Sequence, residues 1–231
     1  MALILTIDTA IDKALVCFSK KGNVLCSAVN ENQKEHASFL QVAIKNLCVE
    51  YNLELKNVDA VAVTSGPGSY TGLRVGMASA KGLCYALNKP LITLSTLELL
   101  AITTIQSSAI YAKNTTPLIC PMIDARRMEV FTAIYNKNLT PILQPTPLVI
   151  TDSFFTQLLD AQPILFVGNG AFKINNLYSH FNISIDQLNI STTALTSLSY
   201  QFFENQCFAN LAYAVPNYLK DFEDNLNKIP K

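Results

Sequence analysis

Short apolar runs and longer segments of helical periodicity alternate along the first hundred residues. Apolar positions recur with the spacing of one helix face between residues 35 and 51, and again between 71 and 88. Five shorter runs have the β-branched, apolar character of strands and lie at 3–8, 14–19, 24–30, 59–64 and 91–94. The first three are joined by hairpin-length turns, which predicts a meander. The resulting order, βββαβαβ, is typical of a mixed sheet with helices packed on it.

The second half of the chain has weaker patterns. A polar stretch at 107–116 marks a boundary, so we expect two lobes, 1–106 and 107–231. Around and beyond this boundary we expect helices at 96–107, 151–159 and 193–208, strands at 118–123, 129–135 and 163–167, and a proline-rich link at 141–147. The polar tail, 216–231, is predicted to be irregular, and its sequence assigns it no role.

The predicted helix at 71–88 is apolar around most of its circumference. Its polar positions form a narrow strip, namely Arg74, Lys81, Tyr85 and Asn88. Small residues occupy much of the remaining surface and allow another helix to approach closely. A helix of this kind must be covered on two sides. Either the helix at 35–51 or a second chain provides the cover, and the pattern leaves both open.

A turn rich in glycine and proline joins the strand at 59–64 to this helix. It reads Ser65-Gly66-Pro67-Gly68-Ser69, and Ser69 or Thr71 is placed to cap the helix. Glycine permits backbone conformations and close approaches that other residues do not. Amide groups at the start of a helix bind anions. The stretch therefore predicts either an anion cradle or only a sharp turn.

Composition narrows the classes of function. The chain has 17 basic and 17 acidic side chains, charged residues make up only 15% of it, and no basic run exceeds two residues. Binding a nucleic acid alone requires a concentrated positive surface, which is absent from the sequence. A neutral surface is what partner proteins cover, although a large core also explains the low charge. The six cysteines form no C-x-x-C pair and are interpreted as small core residues.

The start of the chain, Met1 to Asp8, has no basic region and meets an acid after a short apolar run. It therefore predicts neither a signal peptide nor a membrane span, and we expect a cytosolic protein.

Motifs for catalysis are missing from the sequence. The two histidines, His36 and His180, are not in a metal-binding spacing, and neither a G-x-S-x-G elbow nor a Walker loop is present. Asp8 ends the first strand, where a phosphate-facing acid lies in actin-like proteins, but capping of a turn is the commoner role of such an acid. We therefore predict no metal ligands and no catalytic residues.

Several motifs together resemble the TsaB (YeaZ-type) family of tRNA threonylcarbamoyladenosine biosynthesis. They are Ile7-Asp8-Thr9, His36-Ala37-Ser38, Ser65 to Gly76, Met122 to Phe131 and, more weakly, the Gly-x-Gly-Ala segment at 168–171. The resemblance implies an α/β fold of the actin/Hsp70/sugar-kinase (ASKHA) class, with two lobes that each hold a mixed sheet flanked by helices. It also implies a non-catalytic subunit that pairs with and activates the catalytic homologue TsaD and works with the ATPase TsaE on A37 of tRNAs that decode ANN codons.

Two local features favour the non-catalytic assignment. The catalytic homologue carries an H-x-x-x-H metal pair after the strand equivalent to 91–94, whereas this chain reads Ser95-Thr96-Leu97-Glu98-Leu99-Leu100. The first phosphate loop, residues 8–12, lacks glycine and ends in a second acid, and a D-x-G-G loop is missing. We expect no cofactor on the chain alone, ATP or ADP only at the interface of the complex, tRNA contact only through the complex, and no membrane contact.

Our interface hypothesis places the partner on the helices at 35–51 and 71–88. Its residues are Val42, Val49, Arg74, Val75, Gly76, Ala78, Ser79 and Gly82. A nucleotide or anion contact at the partner junction would use Asp8, Ser69 and Arg74. Two alternatives stay open: a stand-alone enzyme of the same fold, such as an ATP-dependent kinase or a peptidase, and a self-associating scaffold that forms a homodimer when the partner is absent.

Overall fold

Two five-stranded mixed sheets form the framework of the computed structural model, which describes residues 2–107, 117–151, 153–175, 177–179 and 182–220. The first sheet contains β1 (Leu3–Asp8), β2 (Ala14–Lys20), β3 (Asn23–Asn30), β4 (Ala60–Gly66) and β5 (Leu91–Ser95), in the order β3-β2-β1-β4-β5. The second contains β6 (Leu118–Asp124), β7 (Glu129–Tyr135), β8 (Pro141–Val149), β9 (Ile164–Val167) and β10 (Ile183–Asp186), in the order β10-β9-β6-β7-β8.

Both sheets repeat one topology. Three antiparallel strands form a meander, β1-β2-β3 or β6-β7-β8, because their links are too short for anything but hairpins. Two further strands then add in parallel to the first strand of the meander, β4 and β5 in one sheet and β9 and β10 in the other. The predicted α/β class with two lobes is confirmed.

Five helices cover the sheets: α1 (His36–Glu50), α2 (Tyr70–Leu87), α3 (Thr96–Ser107), α4 (Thr156–Ala161) and α5 (Thr192–Glu204). α1 and α2 pack on the outer face of the first sheet, α3 and α5 lie between the sheets, and α4 packs outside the second. Residues of both sheets share the central core with α3 and α5, for example Ile4 of β1, Ile119 of β6, Leu165 of β9 and Leu97 of α3. The lobes are therefore joined by buried apolar surface.

The final helix crosses the predicted boundary between lobes. α5 belongs by sequence to 107–231, but it packs on strands of the first sheet, where Ser199 Oγ lies 3.1 Å from Thr6 Oγ1. It ends at Glu204 and not near residue 208, because Gln206 adopts a left-handed φ of 54°. The chain after it runs back along the first lobe.

This returning segment, residues 208–220, is here called the strap. The Ala209 amide donates to Leu91 O at 2.8 Å beside β5. Lys81 Nζ donates to the carbonyl groups of Ala212 and Ala214, at 3.2 and 2.9 Å. The strap thus follows α2. Residues 216–220 of the tail contain neither helix nor strand, as predicted, and they contact the first lobe at Ser65 and Arg74 and the second lobe at Glu129.

Other predictions in the second half are corrected. The proline-rich link at 141–147 forms β8, because an edge strand tolerates proline. The helix predicted at 151–159 begins only at Thr156, since the Phe155 amide donates to Tyr178 Oη at 3.1 Å. The short strand β10 was not predicted. His180 and residues 221–231 lie outside the described residues.

Candidate functional site

An exposed surface lies on the helix pair α1 and α2 and is called the α1–α2 face. Val42 is 57% exposed and Val49 76%, both on α1. Ala78 and Gly82 are exposed on α2, and no atom lies within 4 Å of the position that a Gly82 Cβ would take. Ser79 at the helix junction accepts a hydrogen bond from Gln41 Nε2 at 3.2 Å, beside an open depression. The small residues leave the surface of α2 shallow there, while on α1 the two valines stand among exposed polar residues, including Lys45 and Asn46.

The other sides of α2 are covered by the chain itself. The sequence left two candidates for covering α2, namely the helix at 35–51 and a second chain. In the structure α2 is contacted by the first sheet and by the strap as well as by α1. Gly76 is a correction to the interface hypothesis: it is buried, and a Cβ there would lie 2.4 Å from Thr9 Oγ1. Val75 is half-buried and packs against the apolar cluster between the first sheet and the helices α1 and α2. A partner on the α1–α2 face would not reach Gly76.

The turn before α2 packs on the turn between β1 and β2, backbone against backbone. A Cβ on Gly68 would lie 2.1 Å from Ala10 O, and a Cβ on Gly72 would lie 2.1 Å from Thr9 O. The Ser69 amide donates to Ala10 O at 2.6 Å, while Ser69 Oγ accepts from the Gly72 amide at 3.3 Å. Glycine is needed because the two turns touch, and Ser69 acts as the predicted helix cap.

Asp8 ends β1 and is buried inside the first lobe. Its Oδ1 atom accepts hydrogen bonds from Thr64 Oγ1 at 2.6 Å and from the Ala10 amide at 3.0 Å. Burial raises the pKa of this carboxyl above its ordinary value, although the two hydrogen bonds and nearby His36 oppose the rise. The hydrogen bonds tie Asp8 to the β1–β2 turn and to β4.

Arg74 stands in a cluster of two aromatic rings. Its Nε donates to Tyr218 Oη at 3.0 Å, and its guanidinium carbon lies 3.9 Å from the centroid of the Tyr70 ring. The two rings are 5.3 Å apart. Neither tyrosine was predicted to contact Arg74. Tyr70 lies one helical turn before it, and that spacing could have indicated the contact. Tyr218 is 144 residues away, and nothing in the tail indicated a contact. Asp8, Ser69 and Arg74, the predicted anion group, thus have separate partners.

The segment after β5 is largely buried. Thr96, Leu97 and Leu99 are buried, and burial raises the pKa of Glu98. Within the described ranges, no three His, Cys, Asp or Glu side chains are grouped so that they could hold a metal ion. Among the same residues, no helix has the length and apolar character needed to cross a membrane.

In the second lobe, ion pairs hold the region where β6 ends and β7 begins. Lys173 Nζ lies 2.5 Å from Asp124 Oδ1 and donates to Glu129 O at 2.8 Å. The last residue of the strap, Lys220, pairs with the Glu129 carboxylate at 2.6 Å. Asn169 Nδ2 donates to Asp12 Oδ2 at 3.1 Å. Polar contacts therefore join both the strap and the first lobe to the second lobe.

The paired sheets of this topology give the chain a fold of the sugar-kinase (ASKHA-like) class. The chain superposes on an inorganic polyphosphate/ATP-glucomannokinase from Arthrobacter sp. strain KM with a TM-score of 0.51, at 9% identity, over 88% of this chain and 100% of that one. It superposes on YeaZ from Pseudomonas aeruginosa with a TM-score of 0.79, at 25% identity, over 95% and 100%. The first similarity shows the fold alone.

Comparison of sequences gives the family. The family model described as "TsaD: tRNA N6-adenosine threonylcarbamoyltransferase" matches residues 23–228, so the chain belongs to this family, and its relatives place it in the TsaB/YeaZ-type branch. TsaB of Bacillus subtilis is 28% identical over 169 residues, 72% of this chain and 70% of the relative. TsaB of Escherichia coli is 31% identical over 135 residues, 56% and 53%.

The match spans about half the length of several curated TsaB relatives. These similarities support a role in threonylcarbamoyladenosine biosynthesis.

Proposed function

We propose that this chain is a non-catalytic subunit of the tRNA threonylcarbamoyladenosine machinery that pairs with TsaD through the α1–α2 face. The observation that carries the proposal is the exposure of Val42 and Val49 on α1, together with that of Ala78 and Gly82 on the neighbouring helix α2. Bound there, the chain holds TsaD in its active form and works with the ATPase TsaE. The complex acts in the cytoplasm.

Exposed apolar surface of this kind favours a protein partner. Burying a valine side chain contributes about 1 kcal/mol or more, which Val42 and Val49 do not gain in the isolated chain. Ala78 and Gly82 lie four residues apart on α2, so they form one stripe along which a partner helix can approach. A pair of helices from TsaD would complete a four-helix contact.

The non-catalytic role is supported by the chemistry at two other positions. Residues 95–100 contain no imidazole, and Thr96 and Leu97 are buried. The turn at Gly68 packs on Ala10 at backbone distance. We propose accordingly that ATP or ADP is held only at the interface of the complex and that tRNA is contacted only through the complex.

The charge substitution Val42→Arg tests the interface. We expect it to abolish co-purification with TsaD, because an arginine there would be buried in the contact without a partner charge. Val149→Arg is the matched control, since Val149 on β8 is 54% exposed, close to the 57% of Val42. Equal recovery of TsaD with both variants would contradict the proposal.

The accessory role is tested by reconstitution. The modification reaction is run with TsaD, TsaE and their remaining components, with and without this chain, and we expect product only when it is present. An ATPase assay on the chain alone examines the alternative of a stand-alone enzyme.

A homodimer through the same face is the second candidate, and it is favoured by the same exposed valines. Sizing the chain with and without TsaD separates the two assemblies.

A further inference from the structure

Arg74 is an exposed charged residue on the α2 side of the α1–α2 face. Tyr70, Arg74, Ala78 and Gly82 follow one another at intervals of four residues, so they form one stripe on α2. Tyr70 is 39% exposed, and Arg74, Ala78 and Gly82 are also exposed. A partner helix that continues along this stripe from Gly82 and Ala78 reaches Arg74 and removes water from its guanidinium group.

Two tyrosine contacts orient the guanidinium in the chain without a partner. The Tyr70 ring lies under it at 3.9 Å, and Tyr218 Oη accepts a hydrogen bond from Nε at 3.0 Å. The strap is anchored on both sides of Tyr218, because the Asn217 amide donates to Ser65 O at 2.6 Å and Lys220 pairs with Glu129. The strap thus connects the orientation of Arg74 to the second lobe.

The cluster does not neutralise the charge of Arg74. Both of its partners are tyrosines, and the hydrogen bond to Tyr218 raises the pKa of the guanidinium, so the group stays charged. In the part of the chain that the structure describes, no carboxylate forms an ion pair with Arg74. A charge that loses its water without a counter-charge is strongly unfavourable.

We propose that Arg74, oriented by Tyr70 and Tyr218, is a recognition point for a carboxylate on the partner chain. A carboxylate matches the planar fork of a guanidinium and supplies the missing negative charge. Tyr218 is a positioning residue that acts through Arg74. The inference rests on the proposed function, since it requires that the partner cover the α1–α2 face.

Binding of the full-length chain to purified TsaD, measured by titration calorimetry at low and high salt, tests the inference. Arg74→Gln should weaken binding at least about tenfold at low salt and reduce its salt dependence. Arg74→Lys keeps the charge but loses the fork, so we expect an intermediate loss of about threefold to tenfold. Arg127→Gln, at an exposed arginine of the β6–β7 turn, is the matched control and should bind like the parent.

Tyr218→Phe removes only the hydroxyl group that orients Arg74. We expect it to weaken binding by a few fold in the parent, and to have no further effect when Arg74 is already glutamine. An equal effect in both backgrounds would mean that Tyr218 acts independently of Arg74 and would overturn its positioning role. Unfolding temperatures of all variants exclude loss of folding, and Arg74→Lys carries the test if Arg74→Gln is unstable.

The remaining outcomes separate this inference from the proposed function. If Arg74→Gln binds TsaD like the parent while Val42→Arg does not bind, the carboxylate contact is overturned and the proposed function stands. If Val42→Arg also binds like the parent, both are overturned. If Arg74→Gln weakens the binding of ADP to the complex but leaves TsaD affinity unchanged, Arg74 contacts a nucleotide phosphate and the inference is wrong.

Discussion

The two lobes share one strand order but hold the acid at the end of their first strand differently. Asp8 ends β1 and is buried, with a hydroxyl and an amide as hydrogen-bond donors. Asp124 ends β6, is partly exposed and pairs with the ammonium of Lys173. In one lobe neutral donors satisfy the carboxyl, and in the other a buried cation does. The difference shows that the repeated topology does not impose a repeated chemistry.

The glycine-containing turns near these two acids also differ between the lobes, and the turn of the first lobe is packed more tightly. Gly66 ends β4 with a φ of 121°, and Gly168 follows β9 with a φ of 97°, so both lobes require glycine there. Two residues later, a Cβ on Gly68 would lie 2.1 Å from Ala10 O, whereas a Cβ on Gly170 would meet its nearest atoms at about 3.0 Å. The first turn leads into α2 and the second into a single 3₁₀ turn. The tighter turn therefore positions the helix that carries the α1–α2 face.

The largest expected effect comes from the glycines. Gly68→Ala should destabilise the protein by about 3 kcal/mol or more, because the backbone of the β1–β2 turn must move to admit the methyl group. Gly170→Ala should cost less, about 1 to 2 kcal/mol, since its neighbours need shift only slightly. Both values are measured by urea unfolding of the purified chain.

Gly82→Ala is the control for these substitutions. It adds the same methyl group in open space within a helix, so it should stabilise the chain by about 0.5 to 1 kcal/mol. Equal losses at Gly68 and Gly170 would show that the two turns are packed alike and would remove this part of the comparison.

The two acids should respond to neutralisation with opposite signs. Asp124→Asn removes half of the pair with Lys173 and should cost about 1 to 2 kcal/mol at neutral pH, since Lys173 is buried but Asp124 is partly exposed. Asp8→Asn should raise the free energy of unfolding at neutral pH or leave it unchanged, because the amide oxygen can still accept both hydrogen bonds without a buried charge. Urea unfolding at neutral pH gives both changes.

The pH dependence provides a check on Asp8. The raised pKa means that the folded chain holds this proton more tightly than the unfolded chain does. Its contribution to stability is therefore present at low pH and is lost as the pH rises from the ordinary aspartate pKa through the raised one. Asp8→Asn should remove this loss, and an unchanged pH profile of stability would contradict the assignment.

A small loss of stability is expected at the contact between the lobes. Asn169→Ala removes the hydrogen bond to Asp12 and the one that Asn169 Oδ1 accepts from the Asp124 amide. We expect a loss of about 1 kcal/mol, because the central core remains intact. Hydrogen exchange should increase near residues 12 and 124 and stay unchanged in α1. Faster exchange throughout the first lobe would mean that the contact supports more than the junction.

Local patterns predicted much of the fold. The strands of the first sheet and the helices α1, α2 and α3 lie within a few residues of their predicted bounds, since apolar periodicity there is regular. Predictions were poorer in the second lobe, where β8 contains three prolines and β10 has only four residues. An edge strand tolerates proline, but whether a strand lies at an edge depends on the pairing of distant segments.

The sequence by itself determined the elements of the first lobe, the turn at 65–69 and the apolar character of α2, because each depends on residues within about one helical turn of one another. Only the tertiary structure decided which small residues of α2 face outward. Gly76 meets Thr9, while Gly82 faces open space. The tertiary structure also brought Tyr218 to Arg74 and α5 to the first sheet. These contacts join segments far apart in the chain, and a local pattern carries no information about which distant segment will meet it.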